Sequence, residues 1–189
     1  FLKKGNYYGI EPNKWLIDEG IKHELGQEII NIKTPTFAYS ENFELGCFNQ
    51  SFDYLIAQSI FSHASAKQVA TCLKETTLVM KPKGLFLATF VLVKENYTGE
   101  EWVYPGCVTF TDSYIKGMAK AEGLDCIKTK WHHPNGQTWY VFFHPENTLM
   151  AKQIVNNLFK ANKAKFSLLA FAEKHNLHNN RFSRKIIQK

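Results

Sequence analysis

Residues 52–63 read FDYLIAQSIFSH. Phe52 and Asp53 open an apolar run that ends on two small polar residues, Gln58 and Ser59, with His63 about one turn beyond. The run predicts a buried strand over Phe52–Gln58 whose tip offers backbone and side chain together to a ligand. Taken alone, His63 reads equally well as a packing or helix-start histidine and as a group beside a reacting molecule.

Five more strands are predicted around it: Tyr7–Ile10, Thr36–Tyr39, Leu85–Val91, Asp125–Trp131 and Thr138–Phe143. Helical patterns lie between them. Asn13 caps a helix carrying Trp15, Ile17, Ile21 and Leu25 and stopped by Gly26. Ser65 caps a second, with Val69, Cys72, Leu73 and Met80 on one face, ended by Pro82 and Gly84. Asp112 caps a third, with Tyr114, Ile115, Met118 and Ala119 inward and Gly123 as its stop. Strands alternating with helices imply βαβ units and a parallel sheet. Leu85-Phe-Leu-Ala-Thr-Phe-Val91 is apolar almost throughout, as a strand covered on both faces must be.

The last two strands break that rhythm. Only His132–Gln137 separates them, and Pro134-Asn135-Gly136 is turn chemistry. A parallel pair needs a crossover of roughly a dozen residues or more, so these two form an antiparallel hairpin. The fold class is therefore α/β, a mostly parallel sheet with a C-terminal antiparallel hairpin. After Pro145, Leu149, Ile154, Leu158 and Phe159, then Phe166, Leu169 and Phe171, predict two amphipathic helices; from about His175 the chain reads as disordered.

At 189 residues, 44% hydrophobic, the chain is long and apolar enough for one domain with an appendage. No apolar run approaches the roughly 20 residues of a membrane span, and no signal peptide is evident. The four cysteines are widely spaced without a C-x-x-C pair, which predicts reduced thiols and a cytoplasmic protein. The +6 net charge is uneven: residues 152–189 hold nine Lys/Arg against one acid, leaving 14 basic and 16 acidic residues in 1–151. The division expected is 1–145 as the α/β domain and 146–189 as a basic helical extension. That tail reads either as a solvated helix face or as a contact for RNA or another polyanion.

Candidate ligand residues gather at the carboxyl ends of the predicted parallel strands, where open α/β sheets bind ligands. Glu11, followed by Pro12, ends the first strand, and its carboxylate suits the two hydroxyls of a ribose. Glu41, Asn42 and Phe43 follow the second, where an acid or amide can receive an adenine amino group and Phe43 can cover the ring. The irregular stretch Lys94–Thr111, with Tyr97, Trp102, Tyr104 and Pro105, lies on the same edge and reads as a cover for a second substrate. His133 belongs to a turn near that pocket. His132 and His133, adjacent in a predicted strand, would point to opposite faces, so no metal site is expected.

These residues resemble the class I S-adenosylmethionine (SAM)-dependent methyltransferases. GIEPN (Gly9–Asn13) resembles that family's second-strand motif with its ribose-binding acid. FDYLIAQSIFSH resembles its fourth-strand motif, and MKPKGLFLATF (Met80–Phe90) its turn into the fifth strand, with Lys83 where a glycine is usual. The terminal reversed strand also fits. The resemblance implies SAM as cofactor, with Glu11 and Pro12 at the ribose, Glu41, Asn42 and Phe43 at the adenine, and Gln58 and Ser59 at the methionine. It further implies a small-molecule methyl acceptor held by Trp102, Tyr104 and His133, with His63 as catalytic base. The family's first strand and glycine-rich loop have no counterpart before GIEPN, and no G-x-G occurs in the sequence. The chain is thus expected to be a fragment with impaired SAM binding, in which the strands ending at Glu11 and Gln58 either pair directly or leave backbone unpaired. An NAD(P)-dependent Rossmann oxidoreductase is the competing enzyme reading; it does not account for the closing hairpin.

Overall fold

The computed structural model describes residues 2–158 and 160. Six strands form: β1 (Tyr8–Ile10), β2 (Thr36–Ala38), β3 (Phe52–Ala57), β4 (Met80–Phe90), β5 (Asp125–Lys128) and β6 (Thr138–Phe143). They fall into two sheets, β1-β2 and β3-β4-β6-β5. β1 runs parallel to β2 and β3 parallel to β4, while β6 is antiparallel to both β4 and β5. β6 is therefore the one reversed strand of its sheet, inserted between two that share a direction.

β1 and β3 do not pair with each other, so of the two arrangements expected, unpaired edges is the one observed. The sheets meet instead through rings: Tyr8 lies 5.2 Å from Phe48 and 5.3 Å from Phe52, centroid to centroid.

The four-stranded sheet carries the core, because β4 alternates between two apolar layers. Phe86, Ala88 and Phe90 face a cluster with Phe61, Leu73, Phe110, Ile115, Tyr140 and Phe142. Leu85 and Leu87 face the opposite layer, with Val141, Phe143, Ala151 and Val155. Helix α3 (Ala66–Val79) covers the first layer behind a capping box, in which Ser65 and Gln68 each satisfy the other's backbone N–H. Helix α4 (Asp112–Ala121) joins it, and a last helix, α5 over residues 148–158, covers the second layer.

β3 was expected to be buried and is not. Tyr54 is 66% and Ile56 68% exposed, and among the described residues the second layer does not include them, whereas Leu55 and Ala57 face the first. Every apolar side chain buried among the described residues lies between Ala57 and Val155. The β1–β2 unit contributes none.

Several boundaries moved. The first helix is α1 (Lys14–Gly20) running into a π-type turn (Ile21–Leu25), and the sequence reading missed α2 (Gln27–Lys33) beyond Gly26. Trp15 is 62% exposed rather than packed. Thr111, not Asp112, caps α4, its hydroxyl accepting from the Tyr114 N–H. Met80 does not lie on the α3 face; it begins β4, and the KPKG segment lies inside the strand as a bulge. Between Phe52↔Met80 and Tyr54↔Leu85, five steps along β4 match two along β3. Gly84 is required there: a Cβ would sit 2.9 Å from the Phe52 carbonyl oxygen. Lys83 keeps a negative φ, so the missing glycine costs nothing. β5 ends at Lys128 because Trp131 turns back to bond the Thr129 hydroxyl. In α5 the inward residues are Met150, Ala151, Ile154 and Val155, while Leu149 faces out, 77% exposed. The second amphipathic segment and most of the basic tail lie outside the described residues.

No helix among the described residues is long and apolar enough to cross a membrane. Burial pushes the Cys72 and Cys126 thiols up to about 12, whereas Cys47 and Cys107 are exposed.

Two predictions follow from this packing. Gly84→Ala should lower unfolding free energy by about 1–3 kcal/mol by overpacking, whereas Ile56→Thr should change it by less than about 0.5 kcal/mol; urea denaturation separates them. Iodoacetamide near pH 8 should modify Cys107 in the folded protein and reach Cys72 only on unfolding, read by peptide mass spectrometry.

Candidate functional site

The tip of β3 is held by its neighbours. Ser59 adopts a left-handed backbone, φ 58°, which a non-glycine residue keeps only under constraint. The constraint is Thr89, wholly buried on β4. Its hydroxyl oxygen accepts the Ser59 N–H at 2.7 Å and its proton goes to Gln137 Oε1 at 2.6 Å. Neither Thr89 nor Gln137 was singled out in the sequence. Thr89 reads there as one polar residue in an apolar strand, and only the register with β6, which pairs it with Trp139, brings the Gln137 region alongside.

His133 joins this tip from the β5–β6 turn. It is 4% exposed, lies against the edge of Trp139, and its Nε2 is 3.4 Å from the Gln58 amide and 3.5 Å from Ser59 Oγ. The structure thus brings together Gln58, Ser59 and His133, which sequence reasoning had assigned to two different ligands. With so little exposure, His133 reaches a ligand only through those two residues. Among the described residues no group of three His, Cys, Asp or Glu is placed to hold a metal ion.

A second group forms around His63. Its Nδ1 lies 2.9 Å from both the Val103 and the Gly106 carbonyl oxygens. Two acceptors on one ring nitrogen require a proton there, so in the neutral ring the lone pair is on Nε2. Trp102 and Tyr104, 44% and 77% exposed, lie 5.6 and 5.5 Å from the imidazole. The long loop is sewn to this point: Val103 N–H bonds to the His63 carbonyl and Val108 N–H to that of Ser62, while Val108 and Phe110 are anchored in the core.

The remaining candidates stand on the other sheet. Glu11 closes the β1–β2 ladder, its N–H on the Ala38 carbonyl. Its Oε1 accepts from the Asn13 N–H at 2.9 Å and from the Asn13 amide at 3.1 Å, holding the start of α1, and Oε2 has no partner among the described residues. Pro12 is exposed between them. Glu41 and Asn42 are exposed in the loop after β2, with Asn42 N–H on Ser40 Oγ. Phe43, at φ 55°, turns its ring against Phe61 at 6.3 Å, so that face belongs to the core boundary. No hydrogen bond joins Glu11 to Gln58 or Ser59 among the described residues.

Two shallow hollows, about 470 and 430 Å³, lie elsewhere, one beside α1 at Asp18 and Gln27, the other along α4 at Asn96 and Tyr114. Neither is lined by these residues. The candidate residues stand at strand ends rather than in either hollow, and β1 and β3 are unjoined.

Known structures share this fold. Magnesium protoporphyrin IX methyltransferase from Synechocystis PCC 6803, with bound SAM, superimposes with a TM-score of 0.53 at 13% identity, over 72% of this chain and 58% of that one. The chain has the fold of the class I SAM-dependent methyltransferases. The methyltransferase CcbJ from Streptomyces caelestis matches with a TM-score of 0.53 at 11% identity, over 74% of each chain. The glycopeptide N-methyltransferase MtfA, complexed with SAM, gives 0.54 at 10% identity, over 74% of this chain and 78% of that one. No protein-family model and no curated protein matches the sequence. The fold is what these identities establish, and its one reversed strand sits where the sequence placed a closing hairpin.

Thr89→Val, which keeps shape but strips the hydroxyl, should cost roughly 2 kcal/mol by orphaning the Ser59 N–H, and Thr89→Ser should restore most of it, both read from chemical denaturation.

Proposed function

We propose that this chain carries the nucleoside-facing and acceptor-facing residues of a SAM-dependent methyltransferase acting on a small molecule. The observation that carries the reading is the His63 group, an imidazole whose Nδ1 proton is engaged by two carbonyls, with exposed Trp102 and Tyr104 beside it. The structural neighbours crystallised with SAM support the cofactor assignment.

The residues present fit SAM in part. Glu11 keeps a carboxylate oxygen for ribose hydroxyls, and Gln58 and Ser59 offer polar groups at the tip of β3. Glu41 and Asn42 offer acceptors for the adenine amino group. The sequence contains no glycine pair that would let backbone approach the methionine part closely. When bound, SAM supplies a methyl group activated by its sulfonium.

This chain's contribution is alignment and proton removal. Trp102 and Tyr104 would hold a small acceptor against the imidazole by apolar contact. Nε2 of His63, carrying the lone pair, would take the acceptor's proton as the nucleophile attacks. The carbonyls on Nδ1 fix the ring plane and leave Nε2 as the nitrogen with the lone pair. Alignment accounts for most of the effect expected here, because the leaving group is already good.

Isothermal titration with S-adenosylhomocysteine should show binding that Glu11→Ala weakens by about tenfold or more, the loss of hydrogen bonds to a charged group. Unchanged affinity would remove the ribose assignment. With methyl-labelled SAM and a panel of small phenols, amines and thiols, His63→Ala should lower kcat by about a hundredfold or more, the usual contribution of a general base. Transfer at the unaltered rate would remove the base.

A further inference from the structure

The two histidines of the site face opposite hydrogen-bonding demands. His63 Nδ1 meets two carbonyl oxygens and must carry a proton. His133 Nδ1 meets the Asn135 backbone N–H at 3.2 Å, and that donor needs a lone pair. The neutral His133 ring therefore carries its proton on Nε2. That nitrogen lies 3.4 Å from the Gln58 amide nitrogen and 3.5 Å from Ser59 Oγ.

Two donors gain nothing by facing each other. Gln58 can accept from the ring only through its amide oxygen, which directs its NH2 group away from His133. Gln58 is exposed while His133 is buried, so away from the ring means toward the strand-tip edge. Ser59 Oγ is within reach of the same N–H, on a backbone that the Ser59 N–H–Thr89–Gln137 chain fixes.

We infer that His133 is a positioning residue: its Nε2–H turns the Gln58 amide so that a pair of N–H donors, and not a carbonyl, faces the ligand edge. This rests on the SAM reading for the ligand's identity and, for the orientation, on the His133 tautomer that the Asn135 N–H sets; it exchanges the Gln58 amide oxygen and nitrogen, since the nitrogen is the atom placed 3.4 Å from the ring. The chemical consequence is a preference for an anionic or acceptor group at that position, as the carboxylate of an amino-acid moiety provides. A carbonyl turned outward there would repel it. The turn Pro134-Asn135-Gly136 acquires a role as well, since its backbone N–H at Asn135 sets the tautomer. A histidine in this turn thus contributes without touching substrate.

The test has two arms, both on the full chain. In the first, long-range proton–nitrogen correlation spectra with labelled histidine, assigned through the backbone, read the tautomers near neutral pH. His133 should show the Nε2–H form and His63 the Nδ1–H form; an Nδ1–H or doubly protonated His133 overturns the proposal. In the second, calorimetry compares S-adenosylhomocysteine with adenosine, which lacks the amino-acid part. His133→Phe should weaken the former about tenfold, the loss of one charge-assisted hydrogen bond, and leave adenosine within about twofold. His133→Gln, whose amide nitrogen can occupy the place of the ring Nε2, should recover most of the loss. Equal weakening of both ligands would mean a merely structural histidine and overturn the proposal, as would no weakening of either. If the unaltered chain binds neither ligand, the SAM reading fails while the spectra still decide the His133–Gln58 orientation.

Discussion

One hydroxyl, buried at the carboxyl end of β4, fixes the geometry on which the candidate site depends. Thr89 offers one proton and two lone pairs, and the structure uses it in both senses: it receives the Ser59 N–H and gives its proton to Gln137. Three strand ends are tied by that atom. Ser59 then holds a left-handed backbone that costs about 1 kcal/mol or more by itself, and the turn it makes sends the chain away from β3 toward Phe61, Ser62 and His63. The buried phenylalanines around Phe61 and Phe90 supply the stability that lets such a conformation persist. Energy from the core is thereby held as a shape at the rim.

The same core explains why the molecule is uneven. β4 is sandwiched by two apolar layers, β6 is buried along most of its length, and β3 has a layer on only one side. The β1–β2 unit has no buried side chain and touches the larger sheet through Tyr8, Phe48 and Phe52. Backbone groups on the facing edges of β1 and β3 lack strand partners among the described residues. Local opening free energies follow buried contacts, so the β1–β2 unit belongs to the low-stability end of this protein and Glu11 to its more mobile half.

Much of this was legible in the sequence because it rests on local rules. The cap at Ser65, the stop at Gly123 and the turn at Pro134-Asn135-Gly136 are written in residues close together. All six strands were found for the same reason, by runs of apolar and β-branched residues. What escaped depends on distant partners. Ile56 looks like a core residue, yet among the described residues no layer covers it at that edge. α2 was hidden because Gly26, at φ 80°, reads as an end when it is a joint between helical segments. Lys81-Pro-Lys-Gly84 looked like a turn before a strand, yet it is a bulge inside one, needed to bring Leu85 level with Tyr54. The site was legible as a set of residue types at strand ends. The sharing of Gln58 and Ser59 with His133 was not, since it needs the register of three strands at once.

Chemically, the site divides between its sheets. The larger sheet carries the residues proposed to handle the proton and orient the ligand, and the smaller carries the Glu11 carboxylate, held by Asn13 alone among the described residues. Function on the proposed lines requires both tips to meet one ligand. A crystal structure of the chain with S-adenosylhomocysteine tests that requirement most directly. The account predicts ribose hydroxyls on Glu11 Oε2 and the amino-acid carboxylate at the Gln58 amide of the same bound molecule. A nucleoside held by one tip with the other vacant, or seated in the hollow along α4, would contradict it.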